Sequence, residues 1–207
     1  RATNLYSIIA LLQKYHFEPV NFGFVNDNRD KTLQKIKEIL NSDIDILLTT
    51  GGVSVGKYDY LKEVFQELEV DKKFWRAFIK PGKPIYFGTY NKKEKSKLVF
   101  GLAGNPVSSF VNFYVYLLPA VEGKYEVELT EKFTAKLLTS IKKKDAKRYF
   151  IRGAFEYNAE GNCFVVKPAG SQSSGNMVGL SSANCLLICE EKKRDLQEGE
   201  IVKCIRI

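Results

Sequence analysis

An apolar run that ends in a glycine turn constrains this chain more than any other feature. Residues 44–48 are apolar apart from Asp45, and two threonines lead directly into Gly51 and Gly52. A strand buried in a parallel sheet is apolar throughout rather than alternating. Glycine adopts positive φ freely, so the N–H groups of such a turn can face an anion. The run therefore predicts a buried strand that opens onto a phosphorylated small molecule.

The turn matches neither of the usual nucleotide-binding fingerprints, GxxxxGK[ST] and GxGxxG. A tight strand-to-helix turn without a ligand is therefore the alternative interpretation. Other parts of the chain must decide between the two.

Composition narrows the class of protein. The 207 residues are 44% hydrophobic, which suits one large domain or two small ones. The net charge of +8 favours anionic ligands, but the lysines around 92–95 and 142–144 are typical of solvated loops, so we expect no nucleic-acid partner. The four cysteines lie in the last quarter of the chain, and we expect them to be small side chains of the core. His16, the only histidine, is expected at the end of a helix.

No apolar run is long enough for a membrane span and no signal peptide precedes the first helix, so we expect a cytoplasmic protein without a membrane partner. The chain starts almost directly on a helical pattern and without methionine. We therefore expect that something is missing upstream.

The pattern of periodicity divides the chain into two parts. Helices are predicted over 4–16, 30–40, about 60–68 and 107–118, the last stopping at Pro119, and strands over 20–25, 44–49, 74–79, 85–87 and 98–100. From about residue 124 only short strand-like runs follow, at 126–129, 134–138, 149–157, 163–167, 185–189 and 201–207. The sequence thus predicts an α/β domain over 1–123 with a mostly parallel sheet, and a small β-barrel or sandwich over 124–207.

Three loops are expected at the carboxyl ends of neighbouring strands. One of them places Lys80 and Lys83 on either side of a rigid Pro-Gly turn. Two ammonium groups so spaced can converge on one oxyanion. A solvated basic turn would be the simpler explanation if this loop stood alone.

The loops read TTGGVSVGKYDY at 49–60, IKPGKP at 79–84 and GLAGNPVSS at 101–109. In this order and at these separations they resemble the molybdopterin molybdenumtransferases, the MoeA and gephyrin E-domain family. The resemblance implies a molybdopterin-binding (MogA-like) three-layer domain followed by a β-barrel domain. It also implies the last step of molybdenum cofactor assembly, in which molybdate is inserted into adenylated molybdopterin and AMP is released.

The resemblance further implies roles for individual residues. It assigns molybdate binding to Lys80, Lys83, Pro84, Ser108, Arg152 and Ser174. It assigns the molybdopterin phosphate to Thr50, Gly51, Gly52, Ser54, Gly56, Asn105 and Ser109. It assigns catalysis to Asp59, Asp27, Lys80 and Arg76. Since the two carboxylates would repel a pyrophosphate, Mg²⁺ held by Asp27 and Asp59 is the expected accessory ion.

The chain differs from the family in some respects, and two alternative functions remain open. Members of the family have two further N-terminal domains and a first strand before the position of Asn4, and none of these is present in the 207 residues. Within the family, a homodimer and contact with molybdopterin adenylyltransferase are the expected associations. The alternatives are a molybdopterin adenylyltransferase of the MogA type, which the β-rich tail disfavours, and a non-catalytic scaffold or fragment of the gephyrin type.

Overall fold

The computed structural model describes residues 3–25, 28–53, 60–92, 95–173, 175, 178–193 and 195–207. The chain divides into two compact units. The first unit contains Arg1–Ala77 and Lys83–Asn112, and the second contains Phe78–Gly82 and Phe113–Ile207. The chain thus passes three times from one unit to the other.

The first unit contains helices α1 (Thr3–Lys14), α2 (Arg29–Asn41), α3 (Leu61–Glu67) and α4 (Pro106–Asn112), with strands β1 (Ile46–Thr50), β2 (Asp71–Trp75), β4 (Tyr86–Lys92) and β5 (Lys95–Leu102). The short strand β3 (Ile79–Lys80) belongs to the second unit. Helix α2 starts at Asn28, whose side chain accepts a hydrogen bond of 2.9 Å from Lys31 N. Helix α1 ends at Lys14, and the turn after it contains His16, which has a φ of 60°, while Phe17 N donates to Leu12 O.

The sheet of the first unit has the strand order β1-β5-β4-β2. Strands β1 and β5 are parallel, whereas β4 is antiparallel to both of its neighbours. The predicted α/β class is confirmed, but the prediction of a mostly parallel sheet is wrong for the described strands. The reason is the short connection from β4 to β5, because only an antiparallel pair can be joined by so few residues.

The core of the first unit lies between this sheet and the helices beside it. Ile36, Ile39 and Leu40 of α2 pack with Val64 and Phe65 of α3 against residues of β1, β4 and β5. These positions follow the helical spacing of three and four residues, which places them on one face of each helix. Burial of this face holds β1 and its glycine turn in place.

Three predictions for the first part are wrong. The predicted strand over 74–79 is divided, because β2 ends at Trp75 and β3 begins at Ile79. Residues 20–25 form no strand, and Val20 and Phe24 are largely exposed, since β-branched residues alone do not supply a partner strand. The helix does not stop at Pro119 either. After α4, residues Phe113–Leu117 form a π-helical segment, and α5 (Leu118–Tyr125) continues with the proline in its first turn, where no N–H is needed.

The second unit is a closed barrel of five strands: β6 (Lys132–Leu137), β8 (Arg148–Asn158), β9 (Cys163–Pro168), β10 (Cys185–Cys189) and β12 (Ile201–Arg206). Pairing of β10 with β8 closes it, and β3 adds to β8. The short strands β7 (Ile141–Lys142) and β11 (Asp195–Leu196) pair with each other, and helix α6 spans Val178–Ser181. The barrel prediction is confirmed, except that residues 126–129 form no strand.

The cysteines behave as predicted in the barrel core. Cys185, Cys189 and Cys204 are fully buried free thiols, and Cys163 is half-buried. Within the described part of the chain, no helix is long and apolar enough to cross a membrane.

Candidate functional site

The glycine turn after β1 is held by its own backbone geometry. Gly51 and Gly52 have φ values of 87° and 70°, in the region that favours glycine. Gly51 N donates a hydrogen bond of 3.0 Å to Leu102 O, so this amide extends the β1–β5 pairing. A Cβ at Gly52 would lie 2.9 Å from Leu61 Cδ1 of α3. The turn is therefore fixed against both β5 and α3, and Thr50 is exposed beside it.

A second glycine loop, from Gly101 to Ser109, lies against the first. A Cβ on Gly101 would lie 2.4 Å from Val53 Cγ1, and a Cβ on Gly104 would lie 3.6 Å from Gly51 Cα. The first approach leaves no room for a side chain on Gly101, whereas 3.6 Å at Gly104 is an ordinary van der Waals contact. The two loops therefore lie next to each other, as the sequence predicts.

The second loop leads into α4 through a side-chain cap. Asn105 Oδ1 accepts a hydrogen bond of 3.1 Å from Ser108 N, and Pro106 begins the helix. Ser109 is 1% exposed, and its hydroxyl donates to Ala103 O. Ser108 is also buried. The carbonyl of the Asn105 side chain is therefore engaged in the cap, and its amide nitrogen is the group that can meet a ligand.

The turn that carries Lys83 and Pro84 is attached to the end of the same helix. Asn112, which is completely buried, donates from Nδ2 to Pro84 O at 3.0 Å. Ala77 N donates to Lys83 O at 3.0 Å, which leaves the lysine side chain exposed. Helix α4 thus joins the Lys83 turn at one end to the second glycine loop at the other. The two glycine loops thus lie against each other, and α4 links them to the Lys83 turn.

Trp75, at the end of β2, contacts both the first glycine loop and two cations. Its indole Nε1 donates to Val53 O at 3.0 Å. Arg76 Cζ lies 4.0 Å and Lys62 Nζ 4.5 Å from the centroid of its ring. Arg76 also has a φ of 68°, which is uncommon for a residue with a side chain. The basic residue predicted from the resemblance is therefore beside the loop, together with a second cation.

In the second unit, Arg152 is 2% exposed and holds a loop. Its Nη2 donates to Ser171 O at 2.5 Å and to Ser173 O at 3.1 Å. The side chain of Gln172 bonds both N and O of Arg152, each at 3.0 Å. Burial lowers the pKa of the Arg152 guanidinium from its ordinary value. Arg152 therefore orders residues 171–173, directly before Ser174.

Lys80 lies on the short strand β3, which pairs with the start of β8. Its Nζ is 3.4 Å from the Tyr149 hydroxyl and 5.1 Å from the centroid of the Tyr149 ring. The peptide bond from Lys80 to Pro81 is cis. Lys80 is exposed, as an anion-binding lysine must be.

Several predicted residues lie outside the described residues: Asp27, Ser54, Gly56, Asp59 and Ser174. Both carboxylates of the predicted magnesium site are among them. In the part of the chain that the structure describes, no group of three or more His, Cys, Asp or Glu residues could hold a metal ion. The described side chains thus do not supply a magnesium site.

Comparison with known proteins identifies the family of the chain. Residues 1–123 match the family model described as "Probable molybdopterin binding domain", and residues 134–207 match "MoeA C-terminal region (domain IV)". The chain belongs to the MoeA and gephyrin E-domain family.

Among its relatives in this family is a molybdopterin molybdenumtransferase of Haemophilus influenzae, 32% identical over 203 residues that cover 97% of this chain and 48% of the relative. A gephyrin of Dictyostelium discoideum is 33% identical over 210 residues, covering 90% of this chain and 29% of that protein. The chain thus spans about half or less of the length of these relatives.

Solved structures show the same fold. A molybdenum cofactor biosynthesis protein from Pyrococcus furiosus superposes with a TM-score of 0.76 at 23% identity, covering 99% of this chain and 64% of the other. A moeA protein from Pyrococcus horikoshii superposes with a TM-score of 0.73 at 24% identity, covering 98% and 45%.

Family motifs pointed to the three loops but missed the residues that join them. Asn112 attaches the Lys83 turn to α4, and Asn4 Nδ2 donates to Gly104 O at 2.9 Å. Trp75 and Lys62 were also missed. The one available signal was that Trp75, the only tryptophan, directly precedes Arg76.

Proposed function

We propose that this chain takes part in molybdenum cofactor biosynthesis by inserting molybdate into adenylated molybdopterin, with release of AMP. The proposal is supported by membership in a family whose relatives include proteins named molybdopterin molybdenumtransferase. The observation that carries it is the linkage of three loops in the first unit: Gly104 lies against Gly51, and the Asn112–Pro84 hydrogen bond attaches the Lys83 turn to the far end of α4.

The chemistry of these loops suits the two substrates. Molybdate is a tetrahedral dianion, and the exposed ammonium of Lys83 offers it a mobile positive charge with three donors. Buried Asn112 fixes the backbone of the adjoining turn, so the lysine starts from a defined position. The glycine turn, the Thr50 hydroxyl and the Asn105 amide can face the phosphate of molybdopterin.

The remaining residue roles accompany the proposal as predictions. Lys80 and Arg152 retain the molybdate-binding role that the resemblance gives them, although Arg152 already donates to two carbonyl groups. Magnesium, the homodimer, contact with molybdopterin adenylyltransferase and the cytoplasmic location are further expectations. We expect positioning of the substrates rather than general base catalysis to speed the reaction, because the only histidine, His16, lies in the turn after α1.

The test is an assay of AMP release from adenylated molybdopterin with and without molybdate. We expect release that depends on molybdate, and we expect Lys83→Gln to raise the molybdate concentration for half-maximal release about tenfold, the loss of one charge-assisted contact. Lys136→Gln, which removes an exposed lysine of the barrel, is the matched control and should match the parent.

Two results would contradict the proposal. AMP release that is indifferent to molybdate would remove the insertion step. Consumption of ATP and molybdopterin without molybdate would instead identify an adenylyltransferase.

A further inference from the structure

A cluster of two cations surrounds the only tryptophan of the chain, and of its members only Arg76 belongs to the predicted site residues. The Trp75 ring has the guanidinium of Arg76 at 4.0 Å and the ammonium of Lys62 at 4.5 Å from its centroid. The two cations are therefore within about 8.5 Å of each other, the sum of these separations. A single aromatic ring thus holds two like charges close together.

No acid from the described part of the chain balances these charges. The ion pairs among the described residues include neither Lys62 nor Arg76, whereas Lys73, on the same strand as Trp75, pairs with Asp71 at 2.6 Å. Two like charges on one ring repel each other, and an anion bound beside them reduces that repulsion. The pair is thus arranged for an anionic ligand.

The cluster is fixed to the glycine turn from two sides. Trp75 Nε1 donates to Val53 O, the last described residue of that turn. Lys62 follows Leu61, whose side chain lies against Gly52. Arg76 is anchored by its own backbone, because its N donates to Ile85 O at 2.8 Å. The cations therefore keep a defined position relative to the turn.

We propose that Lys62 and Arg76, positioned by the Trp75 ring, form an anion subsite for the pyrophosphate linkage of the adenylated substrate. The inference rests on the proposed function and extends it to residues with no assigned ligand there. A guanidinium contacts two phosphate oxygens at once, and a neighbouring ammonium adds a third donor group, which suits a linked pair of phosphates better than one tetrahedral ion. Trp75 is a positioning residue, because its N–H is already donated to Val53 O.

Trp75 also reports on its own site, since its fluorescence is the only tryptophan signal of the chain. The parent chain is titrated with inorganic pyrophosphate, AMP and molybdate. Calorimetry measures the affinity of each variant for the same three ligands. We expect saturable quenching or enhancement with pyrophosphate. Lys62→Gln and Arg76→Gln should each weaken pyrophosphate binding about fivefold to tenfold and leave the molybdate affinity unchanged.

Three further variants separate the charge from the ring. Lys73→Gln removes an exposed lysine of the same strand β2 and should leave the pyrophosphate affinity of the parent unchanged. Trp75→Phe keeps an aromatic face and should retain more pyrophosphate affinity than Trp75→Leu, which loses both the ring and the N–H. A purely structural role of Trp75 would lower the molybdate and pyrophosphate affinities together.

The outcomes distinguish this inference from the proposed function. If the parent binds molybdopterin and molybdate but Lys62→Gln and Arg76→Gln leave pyrophosphate affinity intact, the subsite is wrong and the proposed function stands. An equal loss in Lys73→Gln would show attraction by net charge alone and would also overturn the subsite. If the parent binds neither molybdopterin nor molybdate, the proposed function itself is wrong.

Discussion

Gly101 shows how one residue sets the distance between two loops. Its missing side chain leaves space for Val53, and Val53 is 2% exposed and part of the core under the glycine turn. The turn cannot move away from a larger residue without disturbing the Trp75–Val53 hydrogen bond. The local geometry of the candidate site therefore depends on this position as much as on any charged residue.

Substitution of Gly101 by alanine tests this dependence. A Cβ there would be 2.4 Å from Val53 Cγ1, so we expect Gly101→Ala to lower the free energy of unfolding by about 1–3 kcal/mol and to weaken molybdopterin binding. Urea unfolding and equilibrium binding measure the two effects. Gly123→Ala is the control, because a Cβ in that helix meets nothing within 4 Å and alanine favours helix by about 1 kcal/mol. Equal stability of the two variants would contradict this account.

Among the helices and strands, the sequence predicted best those with a strong local pattern. The apolar run became β1, and the 85–87 and 98–100 runs became the paired strands β4 and β5. The pairing of Lys80 with Tyr149 could not be predicted, because it joins residues far apart in the chain. The contacts of Trp75 could not be predicted for the same reason, because its partners come from α3 and the glycine turn.

The end of α3 carries strain that can be removed. Glu69 has a φ of 57°, while Val70 N donates to Phe65 O and closes the helix end. Because glycine adopts this conformation freely, we expect Glu69→Gly to raise the free energy of unfolding by about 1 kcal/mol. Gln66→Gly, one turn earlier on the exposed side of the helix, should lower it by about 1 kcal/mol. Thermal unfolding of both variants checks the opposite signs, and a shared sign would refute the explanation.

Glu122 of α5 gives the chain a pH-dependent anchor. Its Oε1 accepts from Leu129 N at 2.8 Å and from the N and hydroxyl of Thr130 at 2.6 and 2.7 Å. Burial opposes ionisation of Glu122, but these hydrogen bonds outweigh it and lower the pKa below its ordinary value of 4.5. This stabilisation is therefore complete above the pKa of the unfolded chain and is lost as pH falls through the folded value.

We expect Glu122→Gln to lower the free energy of unfolding by about 1–2 kcal/mol at pH 7, with the difference from the parent shrinking below pH 4.5. Thermal unfolding at a series of pH values measures it. Glu128→Gln, an exposed change in the segment that follows α5, should show no such trend. A difference between parent and Glu122→Gln that stays constant from pH 7 to pH 3 would rule out the anchor.

At the scale of the whole molecule, the chain combines two units that are not continuous in sequence. Residues Phe78–Gly82 belong to the second unit although they interrupt the first. The family models match residues 1–123 and 134–207. The domain boundary at 123/124 stays a prediction. The proposed function depends on the first unit alone, where two glycine loops lie against each other and α4 links them to the Lys83 turn.

The most direct measurement is amide chemical-shift mapping of the labelled chain during titration with molybdopterin. We expect saturable shifts that are largest for the amides of Gly52, Gly104 and Asn105 and for the indole N–H of Trp75. Shifts confined to the barrel strands, or the absence of any saturable shift, would contradict this expectation.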